Sequence, residues 1–108
     1  MLSCLADDDF IKSVNDIRSI LDSLKTPDVI ICGDFNDTPL SYIYRTFAHQ
    51  RKDSFCEQGI GFGTTYAGNI PALRIDYILT DPIFQIETHE VYRFKVSDHY
   101  GVGSAISF

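Results

Sequence analysis

Apolar residues recur at helical spacing near the start of the chain, at Phe10, Val14, Ile17, Leu21 and Leu24. Lys12, Asn15, Asp16 and Asp22 take the opposite side. Asp7, Asp8 and Asp9 offer an N-cap and a negative first turn, which suits the positive end of the helix dipole. Pro27 closes this first predicted helix. Residues 29–32 are then continuously apolar between Pro27 and Gly33, the pattern of a strand buried on both faces. Cys32 reads as a small buried hydrophobe within it. A polar loop over 33–37 follows, and Thr38 can cap a second helix with Pro39 at its first position. Leu40, Ile43, Tyr44, Phe47 and Ala48 form the stripe of that helix, and His49 meets its negative end.

After residue 50 the texture changes. Gly59, Gly61, Gly63, Gly68 and Pro71 break up a loop-rich stretch, with short strands predicted over 54–57 and 64–66. Residues 74–79 alternate, Ile75, Tyr77 and Leu79 facing one way and Arg74, Asp76 and Ile78 the other. Asp81-Pro82 signals a turn. Strands are predicted over 84–93, with Phe84, Ile86 and Tyr92 on the apolar side, and over 102–108. Helix, strand, helix and then several strands make a mixed α/β layer (α+β by some schemes), not a repeated βαβ wind.

Charge narrows the choice of partner. Nine Lys+Arg stand against 15 Asp+Glu, a net charge of -6, and no basic run occurs. Proteins that grip duplex nucleic acid neutralise its phosphates with clustered cations, so a small phosphorylated molecule fits this chain better. The 108 residues, 44% hydrophobic, suffice for one small domain. No apolar run approaches the ~20 residues of a membrane span, and no secretory-type leader opens the chain. Localisation stays open, with the cytoplasm as default. Cys4, Cys32 and Cys56 are widely spaced and odd in number, which fits neither a disulfide framework nor a zinc site.

Three segments concentrate chemistry. Gly33-Asp34-Phe35-Asn36-Asp37 follows the first strand, so Asp34 and Asn36 point one way and Phe35 back to the core if the extended geometry persists. A carboxylate beside an amide donor can handle a proton and stabilise a phosphoryl oxygen, although alone the segment also reads as a common Asp/Asn/Gly turn. In Arg74-Ile75-Asp76-Tyr77-Ile78, Asp76 sits mid-strand and needs a partner if buried. A histidine or the nearby Arg74 could serve. In Ser97-Asp98-His99-Tyr100-Gly101, Asp98 can ligate a hard cation and His99 can act as acid, base or donor, or both can simply occupy a surface turn. His49 and His89 have no polar cluster around them and read as structural.

Together and in this order, Gly-Asp-Phe-Asn, Arg-Ile-Asp-Tyr-Ile-Leu and Ser-Asp-His-Tyr-Gly resemble the last three signature motifs of the endonuclease/exonuclease/phosphatase superfamily, whose fold is that of exonuclease III and DNase I. The resemblance spans residues 29–108. It implies half of a four-layered α/β/β/α sandwich, with a mixed, mostly antiparallel sheet covered by helices on one face. It implies a metal-dependent phosphoric-ester hydrolase acting on a phosphodiester or phosphomonoester. Asp34 would activate water or serve the leaving group, Asn36 would stabilise the phosphorane, and Asp76 would orient His99 against the scissile phosphate. Asp98, with Asp34, would help hold Mg²⁺ or Mn²⁺, while Tyr66, Asn69 and Arg74 would line the mouth.

Members of the superfamily carry an N-terminal half with a strand bearing an Asn and a glutamate that is the principal metal ligand. Here Glu57, Glu87 and Glu90 all follow the Asp34 motif. The chain therefore reads as the C-terminal portion of such a domain, with weak or absent metal binding and little activity alone. Its uncovered sheet face is expected to drive self-association. The competing reading is a degenerate, non-catalytic half-domain used in assembly.

Overall fold

The computed structural model describes residues 8–24, 28–35, 41–68, 73–94 and 97–108, with side chains from residue 11 onward. Helix α1 (Asp8–Ser23) ends close to the predicted boundary. Val14 is buried and Leu21 packs against the core, whereas Ile17 and Leu24 are half exposed, so only part of the predicted stripe faces inward. Strand β1 (Ile30–Asp34) leads toward α2 (Tyr42–Ala48). Ser41 caps α2, its hydroxyl accepting the Tyr44 N–H at 3.1 Å. The helix thus starts later than predicted, and Thr38 and Pro39 lie outside the described residues.

Strand β3 (Asp76–Thr80) is central to a three-stranded antiparallel sheet of order β1-β3-β2, with β2 (Lys52–Asp53) on its far side. Register determines what each face carries. Ile31 stands opposite Leu79 and Gly33 opposite Tyr77, and this face receives the helices. Val14, Phe47, Tyr77 and Leu79 are its buried core, joined by Ile31, Phe35, Ile43, Tyr44 and Ala48. Phe35 turns inward as predicted, its ring 4.9 Å from that of Tyr77.

The other face pairs Ile30 with Thr80, Cys32 with Ile78 and Asp34 with Asp76. It is the more open one. Ile30 is 43% exposed and Cys32 is also exposed, which corrects the prediction of a strand buried on both faces. An apolar run signals burial somewhere but cannot say how many layers cover it. The molecule measures 38 × 38 × 21 Å, and its short axis is about the depth of one helical layer on one sheet.

Two predicted strands prove to be interrupted. Strand β4 (Gln85–Ile86) pairs with β7 (Ile106–Ser107), and β5 (Glu90–Tyr92) pairs with β6 (Gly101–Gly103). Between them Glu87 and Thr88 both donate backbone N–H groups to the Ala105 carbonyl, and the Thr88 hydroxyl accepts the Ala105 N–H. Two residues opposite one make a β-bulge, which shifts the register by one. Residues 54–57, predicted as strand, instead belong to the short helix α3 (Ser54–Gln58), because Asp53 caps it by accepting the Phe55 N–H at 3.0 Å. Residues 64–66 contribute a single bridge, Tyr66 to His99. Among the described residues no helix is long and apolar enough to cross a membrane.

Candidate functional site

Asp34 ends β1 and Asp76 begins β3. Their antiparallel pairing therefore sets two carboxylates side by side on the open face of the sheet. The Ser97–Gly101 segment delivers His99 onto them. Its backbone is held by the Tyr66 bridge and by Ser97 Oγ, which accepts the His99 N–H at 3.0 Å.

The imidazole lies between the carboxylates. Nδ1 is 2.9 Å from Asp76 Oδ2, and because a carboxylate only accepts, Nδ1 carries the proton in this contact. Nε2 is then turned toward Asp34 Oδ2 at 3.4 Å and Asp98 Oδ1 at 3.9 Å. Exposure grades outward: the Asp76 side chain is 18% exposed, His99 27%, Asp34 39% and Asp98 69%. The sheet holds the inner partner, and the outer groups remain accessible. Tyr66 stands edge-on to the imidazole with centroids 6.2 Å apart. Gly68 permits this, since a Cβ there would run into the Tyr66 ring.

His99 is held above the ordinary histidine pKa, chiefly by its hydrogen bond to Asp76. Partial burial opposes the shift, and the charges of Asp76, Asp34 and Asp98 add to it. A raised folded pKa means that the stabilisation is complete below about pH 6.5 and is lost as pH rises through the folded value. His89 behaves oppositely, because burial holds its pKa down. Its contribution is present above about pH 6.5 and is lost as pH falls. Asp76→Asn is accordingly expected to lower the His99 pKa toward the ordinary value in an NMR titration of the imidazole. An unchanged titration would show that the carboxylate does not charge the ring.

Arg74 does not line the cleft beside Asp34 and Asp76. Its side chain is 8% exposed, and Nη1 reaches both oxygens of Asp53 at 3.0 and 2.8 Å. The guanidinium lies over the rings of Phe55 and Tyr77, at 4.7 and 4.8 Å. Of the two partners open to Asp76, Arg74 is thus taken by Asp53. Alternation alone places it beside Asp76, but it precedes β3. Asp53 was not singled out from the sequence. Its signal was the helix-cap position before Ser54. Asn36 and Asn69 lie outside the described residues.

Asp34, Asp76 and His99 each offer a ligand atom within 4.8 Å of one another. Because His99 Nδ1 is bonded to Asp76, the outward donors suited to a hard cation are the carboxylate oxygens of Asp34 and Asp98. A cleft of about 330 Å³ adjoins them, lined by Cys32, Asp34, Asp76, Ile78, Tyr100 and Val102 among others. A larger cleft, about 740 Å³, is lined by Arg18, His49, Arg51 and Asp81 and contains none of the site residues. Asp81 follows the last residue of β3 and Asp76 is its first, so that cleft belongs to the other end of the sheet.

The model of the Endonuclease/Exonuclease/phosphatase family matches residues 7–99. Two solved structures from Bacteroides thetaiotaomicron share the fold. One is a mannosyl-6-phosphatase at 22% identity and a TM-score of 0.70, covering 89% of this chain and 45% of that one. The other is an endonuclease/exonuclease/phosphatase family protein at 21% identity and a TM-score of 0.67, covering 87% of this chain and 42% of that one. The chain thus spans less than half the length of either. No curated protein matches it significantly in sequence.

Proposed function

The chain belongs to the Endonuclease/Exonuclease/phosphatase family, and on that premise we propose that it carries the phosphate-contacting portion of a metal-dependent phosphoric-ester hydrolase. The observation that supports this most is the imidazole of His99, bonded to Asp76 on one side and facing Asp34 on the other. Such a group presents a fixed, positively charged Nε2–H to a phosphoryl oxygen, where charge builds during displacement. Asp76 orients the ring and stabilises its protonated form. Asp34 serves the attacking water or the leaving group, and Asn36 donates to the phosphorane. Tyr66 and Asn69 border the substrate.

Asp34 and Asp98 would hold Mg²⁺ or Mn²⁺, which supplies Lewis-acid stabilisation of phosphoryl charge when bound. Two carboxylates with water completing the shell hold such an ion loosely. The chain by itself is therefore expected to be nearly inactive, and activity to belong to a fold that also carries an acidic ligand from the superfamily's N-terminal half. A small phosphate ester suits the net charge of -6 better than duplex nucleic acid does. The solved neighbour that is a mannosyl-6-phosphatase agrees in class.

The test is Mg²⁺-dependent hydrolysis of p-nitrophenyl phosphate and its bis-ester. Purified 108-residue chain should give background rates, and the same chain supplied with the N-terminal half of a superfamily member should give turnover that chelation abolishes. Metal-dependent turnover by the short chain would refute its inactivity. Inactivity of the completed fold would favour the second reading, a half-domain used in assembly.

That second reading has its own observation, the exposed Ile30 and Cys32 on the more open sheet face. Such a patch favours a partner layer. The short chain is expected to self-associate at micromolar concentration, and a monomeric mass by light scattering would count against this.

A further inference from the structure

The pair His99–Asp76 joins segments that are 23 residues apart in sequence, so something must hold the two backbones in mutual register. The Gly63–Gly68 stretch, which precedes both in the chain, bonds to both, and one residue in it stands out. Thr65 is fully buried, 0% exposed, although it is polar and lies in a glycine-rich loop. Its Oγ1 accepts two backbone N–H groups, from Ile75 at 3.0 Å and Asp76 at 3.1 Å. Its carbonyl accepts a third, from Tyr100 at 2.7 Å. A single side chain and its own peptide group thus grip the residue that orients the imidazole and the residue that follows the imidazole.

The neighbouring bonds point the same way. Ala67 N–H donates to the Asp98 carbonyl at 2.7 Å, and Tyr66 bridges His99 itself. Phe35 N–H donates to the Ile75 carbonyl at 2.9 Å, which ties the residue after Asp34 to the same point of β3. Valine has the shape of threonine without the hydroxyl. In its place, the backbone N–H groups of Ile75 and Asp76 would lose this shared acceptor.

We propose that Thr65 is a positioning residue of this site, its hydroxyl and carbonyl together setting Asp76 and the His99 turn at hydrogen-bonding distance. The proposal rests on the reading of His99 and Asp76 as the phosphate-contacting pair. Thr65 touches no reacting atom in that reading and acts through Asp76. A fully buried threonine that served only to fill space would be replaceable by valine without disturbing the imidazole. One that positions the pair would be replaceable by serine, which keeps the oxygen, and not by valine.

The experiment is NMR on the full 108-residue chain carrying Thr65→Val or Thr65→Ser. The readouts are the imidazole Nδ1–H proton of His99 and amide hydrogen exchange at Asp76 and Tyr100. In Thr65→Val the imidazole proton should vanish into exchange with water. The Asp76 amide should exchange about tenfold faster, the factor that one lost hydrogen bond carries. Thr65→Ser should match the parent chain. A folded Thr65→Val that keeps the imidazole signal, or a Thr65→Ser that loses it, overturns the proposal. If Thr65→Val fails to fold, the parent chain decides. Asp76 and Tyr100 amides opening as one unit support a common anchor, and separate openings overturn it. Asp76→Ala serves as the control, because survival of the imidazole signal there would instead sink the reading of the pair itself.

Discussion

Replacing Asp53 with alanine is expected to remove about 3–5 kcal/mol of folding stability, the usual consequence of stranding one partner of a buried ion pair. Arg74 cannot shed its proton, and it lies 8% exposed beneath three aromatic rings. Asp53 is also the acceptor for the Tyr44 hydroxyl at 2.7 Å and for the α3 cap at Phe55. One substitution therefore leaves a charge, a hydroxyl and a helix end without their partner. Against a total of about 5–15 kcal/mol for a small domain, that loss is close to unfolding. The cycle is informative. Asp53→Asn should recover part of the loss by retaining the cap, and Asp53→Leu with Arg74→Met should lie nearer the parent than Asp53→Ala does. Urea denaturation measures all of these. A loss below about 1 kcal/mol for Asp53→Ala would mean that water or another acceptor reaches the guanidinium.

In any form of the chain that shows the proposed hydrolysis, replacing His99 with alanine is expected to lower kcat/KM by about 10²–10⁴-fold, the range for a positioned proton-transfer or donor group. The pH dependence carries the sign. Nε2 serves as a donor only while the ring is protonated, so the rate should fall as pH rises through the raised His99 pKa. Asp76→Asn retains an acceptor for Nδ1 but removes the charge, and should move that alkaline fall to lower pH. An alkaline limb that stays in place in Asp76→Asn would remove His99 from the role of cationic donor. A metal-bound water titrating in the same range would respond to the identity of the cation, Mg²⁺ or Mn²⁺, and His99 would not, which separates the two.

Much of this site could be read from residue order. A carboxylate among apolar neighbours at position 76 demanded a partner, and the imidazole at 99 supplies it. Period-two alternation correctly placed Ile75, Tyr77 and Leu79 inside. Alternation could not place Arg74, because it describes a strand and residue 74 precedes one. Its partner Asp53 precedes a stretch whose composition suits a strand but which is a short helix capped by the Asp53 carboxylate at Phe55. The bulge at Glu87 and Thr88 was equally invisible. Apolar pattern reports which way side chains point, whereas a bulge is defined by two amides sharing the carbonyl of Ala105. The openness of β1 depends on layers of fold that a run of apolar residues cannot count.

The imidazole at 99 and its two carboxylates are all anchored within this one short chain, on a strand end, a strand start and a bridged turn. Whatever layer comes to lie on the more open side of the sheet would meet a finished receptor. Freezing these rotamers is a toll already exacted when the chain folds, so docking of that layer would not have to meet it again. Complementation from separately made halves should then be limited by how well their surfaces fit, and not by any need to assemble the reactive groups at the moment of contact.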